Sequence, residues 1–252
     1  MKCSTDELII TSLARLLQGA RHVAVGSASG PPCAAAWLVN LQSGGRTRIA
    51  VLGSPKAFFT DGGRELFDCA ARGRIDTFFL SGGQIDGEAN INLMGIGKYP
   101  DLGVRWAGTY GSPYLYSIAK RTILFREEHT RRVLVPRVDF ISAAGTNEAN
   151  VYRSGGPTAL VTSRCVFSFD PSRRRFRLES VHPGHDVDEV RANTGFDFEI
   201  SEGDVPVTPE PDLPTLELLR TSVPPLLAET YPQYARQVFG YAPAEDVSAA
   251  RL

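Results

Sequence analysis

The apolar positions of this chain fall into short runs that stop at small residues. After Ser4-Thr5-Asp6-Glu7, where Ser4 precedes Glu7 by three positions as in a capping box, Leu8, Ile9, Leu13, Leu16 and Leu17 share one helical face. This first helix is expected to end near Gly19. His22-Val23-Ala24-Val25 then reads as a short buried strand halted by Gly26-Ser27-Ala28-Ser29-Gly30, and Cys33 to Leu41 has helical composition. The unit recurs. Arg48 to Leu52 is a second strand ended by Gly53-Ser54-Pro55, and a helix from about Arg64 to Arg72 leads to a third apolar run, Ile75 to Leu80. That run stops at Ser81-Gly82-Gly83-Gln84-Ile85-Asp86, a glycine turn of the kind in which backbone N–H groups are left free for a ligand.

Further β-prone runs lie at Thr122 to Phe125, Val133 to Val135 and Val138 to Ile141. Thr158 to Thr162, Val166 to Phe169 and Arg177 to Val181 are separated only by turn residues, so they are expected as antiparallel edge strands. Asp186-Val187-Asp188-Glu189-Val190 opens a short helix with its carboxylates at the end the helix dipole favours. Alternating strands and helices predict an α/β fold: a single open, mostly parallel sheet covered by helices on both faces, with antiparallel edge strands. We expect this domain over residues 1–203. Residues 204–252 then form an extended crossover through Pro206, Pro209, Pro211 and Pro214, a helix near Thr215 to Arg220, and a polar tail packing on the same domain.

Composition narrows the classes of partner. The 252 residues carry 27 Lys+Arg against 28 Asp+Glu, so no global field draws nucleic acid or an anionic membrane. Cys3, Cys33, Cys69 and Cys165 lack the short spacings of zinc or redox sites, and His129, His182 and His185 show no ligand spacing, so no metal is expected. No apolar run approaches the ~20 residues of a membrane span. The expectation is a reduced, soluble, cytoplasmic protein.

Chemistry is concentrated at the turns. Those at Gly26, Gly53 and Ser81 bring backbone N–H groups to one edge of a parallel sheet, where they can polarise a carbonyl without a charged side chain. The order Val25-Gly26-Ser27, Ile49 to Ser54, Phe79 to Asp86 with Asn90-Ile91-Asn92, and Asn193-Thr194-Gly195-Phe196-Asp197-Phe198 resembles the β subunit of glutaconate-type class I CoA-transferases, over about residues 5 to 220. The resemblance implies a half-enzyme, in which a homologous α subunit, as αβ or α2β2, and this β chain bind an acyl-CoA at their interface. Coenzyme A then enters as part of the substrate, and no metal is used. Ser81 and Gly82 match the residues whose backbone N–H groups face the thioester carbonyl. Gly83, Gln84 and Asp86, with Asn90 beyond them, match the rest of that turn, and Gly26 with Ser27 match the other glycine turn.

The chain departs from the family at one decisive place. CoA-transferases of this type carry a glutamate just after the second strand, which attacks the thioester and then holds CoA; here that position falls on Leu52, and no Asp or Glu occurs between Val39 and Thr60. Ser54 is the nearest hydroxyl, read either as a substitute nucleophile or as a cap of the next segment. Cys33 and Cys69 read as packing residues, and Asp86 as the acceptor of its own turn, with general acid or base work as the alternative. The turn Tyr110-Gly111-Ser112-Pro113-Tyr114, which follows Trp106, is read as acyl-pocket wall or core edge, and Arg121, Arg126, Arg131, Arg132 and Arg137 as anion ligands or solvated residues. Relatives without the glutamate include enzymes that decarboxylate a glutaconyl-type thioester and hydrolases that open a carbocyclic β-keto acyl-CoA. Phe67 to Asp76 looks closer to the former, and Asn150-Val151-Tyr152-Arg153 with Val181-His182-Pro183-Gly184 closer to the latter. A non-catalytic acyl-CoA-binding subunit is the alternative from another class.

Overall fold

In the computed structural model, which describes residues 3–242, α1 (Thr5–Leu16) leads into β1 (His22–Val25), α2 (Gly30–Gln42), β2 (Arg48–Val51), α3 (Gly62–Ala71) and β3 (Thr77–Leu80). Two hairpins follow, β4 (Gln84–Ile85) with β5 (Ile91–Asn92) and β6 (Gly95–Lys98) with β7 (Asp101–Arg105), then α4 (Ser112–Ile118) and β8 (Arg121–Arg126). Next come β9 (Pro157–Thr162), β10 (Cys165–Asp170), β11 (Arg175–Val181), α5 (Val187–Asn193) and β12 (Glu199–Ile200). The helices α6 (Leu213–Thr221), α7 (Val223–Ala228) and α8 (Pro232–Phe239) close the described chain.

The capping box forms as expected: Glu7 N–H donates to Ser4 Oγ at 3.2 Å and Ser4 N–H donates to Glu7 Oε2 at 2.8 Å. Of the expected strands, those at β1, β2, β3, β8, β9, β10 and β11 assemble, with β12 added at one end, into one sheet in the order β12-β11-β10-β9-β8-β3-β1-β2. Pairings from β2 to β9 are parallel, β10 runs antiparallel to both β9 and β11, and β12 is parallel to β11. Because β2 and β3 flank β1, the chain reverses direction across the sheet after β2. The crevice outside the C-terminal ends of β1 and β3 is thus a topological switch point.

Period-two alternation divides the core. Phe78 and Leu80 of β3 pack with α3 and α4 residues such as Leu66, Ala70 and Leu115, whereas Phe79 packs on the opposite face with Leu13, Leu38 and Leu227. Each face of the sheet is thereby sealed by helices, which leaves its C-terminal edge as the place for chemistry.

Two expectations fail for identifiable reasons. Val133 to Val135 and Val138 to Ile141 are not strands. Leu134 makes an isolated bridge to Ile85, Pro136 has no N–H to extend it, and the Val138 amide donates to Asp86 instead. The stretch after Arg220 is not a polar tail over its described part. Val223, Leu227, Ala228 and Ala235 of α7 and α8 are buried against α2, and the prolines that obscure the pattern sit in the first turns of these helices, where no donor is needed. Residues 243–252 of the expected tail lie outside the described residues. The segment read as an aromatic turn at Tyr110 to Tyr114 enters α4 at Ser112. Among the described residues no helix is long and apolar enough to cross a membrane.

Candidate active site

The switch-point crevice is a cavity of about 490 Å3. Its polar wall is made by Gly26, Ser27, Ala28 and Ser29 after β1, Leu52 after β2, and Ser81, Gly82 and Gly83 after β3. Three turns separated by many residues in sequence converge because their strands are neighbours in the sheet and all end at this edge. Opposite them, Leu66, Leu93, Ile96, Trp106, Tyr110 and Leu115 form an apolar wall, with Arg126 and Arg132 also present.

The β3 turn is held from behind. Gly83 N–H donates to Asn92 O at 2.9 Å, and a Cβ on Gly83 would lie 2.1 Å from Cη2 of Trp106, so the indole occupies the space a side chain would need. A Cβ on Gly82 would meet Ile91 Cγ2 at 2.6 Å and Gln84 O at 3.0 Å. Glycine is required at both positions by close approach. The amides of Ser81 and Gly82 engage no acceptor among the described residues, although Gly82 is buried. Backbone donors in such a place normally find a partner, and both residues line the cavity.

Gln84, Asp86 and Asn90 do something different from what their place in the motif implies: they do not line the cavity. Gln84 Oε1 accepts from Asn92 Nδ2 (2.7 Å) and from Asp139 N–H (2.9 Å). Asp86 accepts from the amides of Glu88, Asn90 and Val138 and from Asn90 Nδ2, while Asn90 Oδ1 accepts from Gly145 N–H. Burial raises the Asp86 pKa and these donors oppose the rise, so the residue is the anchor of its own turn. The three side chains fix the β4–β5 hairpin that supports the glycines.

Leu52, the residue expected in place of the family's glutamate, lines the cavity and brings no carboxylate to it. Ser54 does not. Its Oγ is buried and accepts from the Ala57 amide at 3.0 Å, the capping role, and it lies outside the lining. Cys33 is fully buried, and burial pushes its thiol up to about 12, far from thiolate chemistry. Cys69 packs against the core on the α3 side. Of the five arginines considered, only Arg126 and Arg132 belong to the cavity, both within ion-pair distance of Glu128. Arg121 is used on Leu16 O and Thr77, Arg131 on Ala192 O, and Arg137 lines a separate surface cavity.

Two stretches that suggested particular relatives are structural. Arg153 donates to Gly155 O, Ala144 O, Asn147 Oδ1 and Tyr116 O, clamping a loop, and His182 is buried beside Thr208 and Thr162. Reading the sequence missed Ala28, which holds φ +51 in the first turn, the apolar wall from Leu93 to Thr109, and Tyr231, whose hydroxyl reaches Gly26 O. A left-handed alanine leaves no local signal, and Tyr231 acts on a residue 205 positions away.

The lining contains no carboxylate, thiol or imidazole. It offers amides, small hydroxyls, a phenol and two guanidiniums, a set suited to receiving an oxyanion in an apolar slot.

Alongside a parallel sheet with three small-residue turns meeting at its switch point, residues 2–193 match the family model for coenzyme A transferase; the chain belongs to that family. Within it the chain groups with β subunits. It is 32% identical over 154 residues to the β subunit of the 3-oxoadipate CoA-transferase of Pseudomonas knackmussii, covering 59% of this chain and 58% of that one. It is 31% identical over 166 residues to the cholesterol ring-cleaving hydrolase IpdB subunit of Rhodococcus jostii, covering 64% of each. The matched stretch therefore spans about three-fifths of these curated relatives. The crystal structure of Rhodococcus jostii RHA1 IpdAB superposes with a TM-score of 0.77 at 26% identity, covering 88% of this chain and 94% of that one. The decarboxylase AibA/AibB shares the fold, with a TM-score of 0.74 at 24% identity over 87% of this chain and 94% of that one.

Proposed function

We propose that this chain is the β subunit of a heteromeric enzyme that acts on an acyl-CoA without a glutamyl-CoA intermediate, and that it hydrolyses a carbon–carbon bond β to the thioester. The carrying observation is the cavity lining: unengaged amides at Ser81 and Gly82, with Leu52 where a transferase nucleophile would stand and no carboxylate elsewhere. In this reading the thioester oxygen lies against those two amides. Hydroxide derived from water adds to a β-ketone of the acyl group, the Cα–Cβ bond breaks, and its electron pair becomes the thioester enolate. A proton then returns to Cα, giving a carboxylic acid and a shortened or ring-opened acyl-CoA. The amides are worth most at the enolate stage, since a single well-placed oxyanion donor contributes roughly 100- to 1,000-fold in rate. The base that activates water comes from an α subunit of similar fold, because this lining holds none. Identity to a transferase subunit (32%) and to the ring-cleaving IpdB subunit (31%) is nearly equal, so the choice of hydrolysis over transfer rests on the acid-free lining with Leu52 in it.

The test is reconstitution with the cognate α chain and assay of three reactions in parallel: CoA exchange between thioesters, release of CO2, and hydrolytic consumption of a cyclic β-keto acyl-CoA. The isolated β chain is expected to be inactive and the pair to hydrolyse, with borohydride and hydroxylamine leaving this chain unmodified. CoA exchange accompanied by an adduct on this chain refutes the proposal. CO2 release favours decarboxylation at the same site, and acyl-CoA binding without turnover makes the chain a binding subunit only.

A further inference from the structure

The first glycine turn is controlled from the far end of the chain. Tyr231, the residue before α8, donates its phenolic hydrogen to Gly26 O at 2.8 Å; a carbonyl can only accept, so the direction of this bond is fixed. Gly26 O and Ser27 N–H belong to one planar trans peptide and point in opposite directions. With the carbonyl held toward Tyr231, on the α7–α8 side, the Ser27 N–H is turned the other way, and Ser27 lines the cavity. No acceptor among the described residues engages that amide. The next peptide is pinned as well, because Ser29 Oγ donates to Ser27 O at 3.0 Å.

We infer that Tyr231 is a positioning residue, which by holding the Gly26 carbonyl aims the Ser27 amide into the cavity as a third donor to the thioester, alongside Ser81 and Gly82. This rests on the reading of the cavity as a thioester site. It gives α7 and α8, which lie beyond residues 2–193 of the family match, a part in the chemistry. Burial pushes the Tyr231 phenol up to about 12, so it remains a neutral donor throughout the physiological range.

The neighbouring Tyr234 supplies an internal control. It lies in the same helical unit and its ring packs where a Cβ of Gly30 would fall, 2.6 Å from Cγ, yet its hydroxyl has no hydrogen-bond partner. Tyr231→Phe and Tyr234→Phe thus each delete one phenolic oxygen from the same helical unit, and only the first releases the Gly26 peptide.

The experiment uses the reconstituted α–β pair and glutaryl-CoA carrying 13C at the thioester carbonyl. Difference infrared spectroscopy reads the carbonyl stretch of the bound probe, and calorimetry reads its affinity. Wild type and Tyr234→Phe are expected to lower the carbonyl frequency equally. Tyr231→Phe is expected to retain probe affinity within about twofold, to lose part of that frequency shift, and to lower kcat roughly tenfold on any substrate the pair turns over, a fraction of the loss from deleting a donor outright. An unchanged frequency shift in Tyr231→Phe with wild-type kcat overturns the inference and leaves the thioester reading intact. Equal losses in Tyr231→Phe and Tyr234→Phe overturn it too, by showing a general packing effect. Failure of the wild-type pair to bind the probe or shift its carbonyl overturns the thioester reading together with the inference.

Discussion

Acidification is expected to unfold this protein through two histidines that have nothing to do with the cavity. His129 and His182 are about 2% and 1% exposed, and burial lowers both to about 4 from an ordinary 6.5. Their hydrogen bonds fix the neutral tautomers. Thr194 Oγ1 donates to Val190 O, so it accepts from His129 Nε2–H, leaving Nδ1 to accept from Thr162 at 2.7 Å. His182 Nε2 donates to Thr162 O, so Nδ1 accepts from Thr208. A proton added to either ring turns an acceptor into a donor facing a donor. The sign follows: with the folded pKa below the unfolded one, stability is complete above about pH 6.5 and falls as pH drops toward 4, where the folded state also begins to take up protons. For a shift from 6.5 to about 4, each ring removes roughly 2 kcal/mol between pH 7.5 and 5.0, and the pair about 4 kcal/mol. Half-buried His22 shifts in the same direction and adds to the slope. The assay is urea unfolding of the purified chain at both pH values, with His129→Gln/His182→Gln alongside. Wild type is expected to lose several kcal/mol and the double variant a clearly smaller amount; equal losses in the two proteins would refute the assignment.

Gly83→Ala is expected to expel the Trp106 indole, lowering stability by roughly 1–3 kcal/mol as overpacking does, which thermal melting reads together with a red-shifted emission. Trp106 lines the cavity and Trp37 does not, so acyl-CoA binding to the reconstituted pair should change the fluorescence more with Trp37→Phe than with Trp106→Phe. Asn92 is fully buried and serves Gln84 Oε1, Gly95 O and Met94 N–H; Asn92→Ala strands these groups and is expected to cost about 2–4 kcal/mol in urea unfolding, with weakened acyl-CoA binding because the β3 turn loses its support.

The strands that build the site were legible because their signals are local. Val23 to Val25, Ile49 to Val51 and Phe78 to Leu80 are compact apolar runs, each ended by small residues, and their alternation with helices implies a parallel sheet. The two-residue strands β4 and β5 and the glycine-bearing β6 offered no comparable run. Side-chain roles were harder. Gln84, Asp86 and Asn90 sit in a ligand-turn motif, yet their partners, Asp139, Val138 and Gly145, are about fifty residues away and bind them to the scaffold. The helix expected near Thr215 to Arg220 forms as α6, but α7 and α8 were hidden by prolines that, at N1 and N2, are compatible with a helix start.

The acid-free lining of the crevice also bears on what a pH profile can report. Amides and aliphatic hydroxyls do not titrate in water's accessible range, and guanidiniums keep their charge throughout it. A rate dependence in the assembled enzyme above about pH 6.5 therefore points first to residues of the other subunit or to the substrate, whereas a loss of rate at lower pH also carries the destabilisation set by His129 and His182. Above that pH, kinetic titration of the complex would read out the partner's ionisations against a lining that brings no carboxylate, thiol or imidazole of its own.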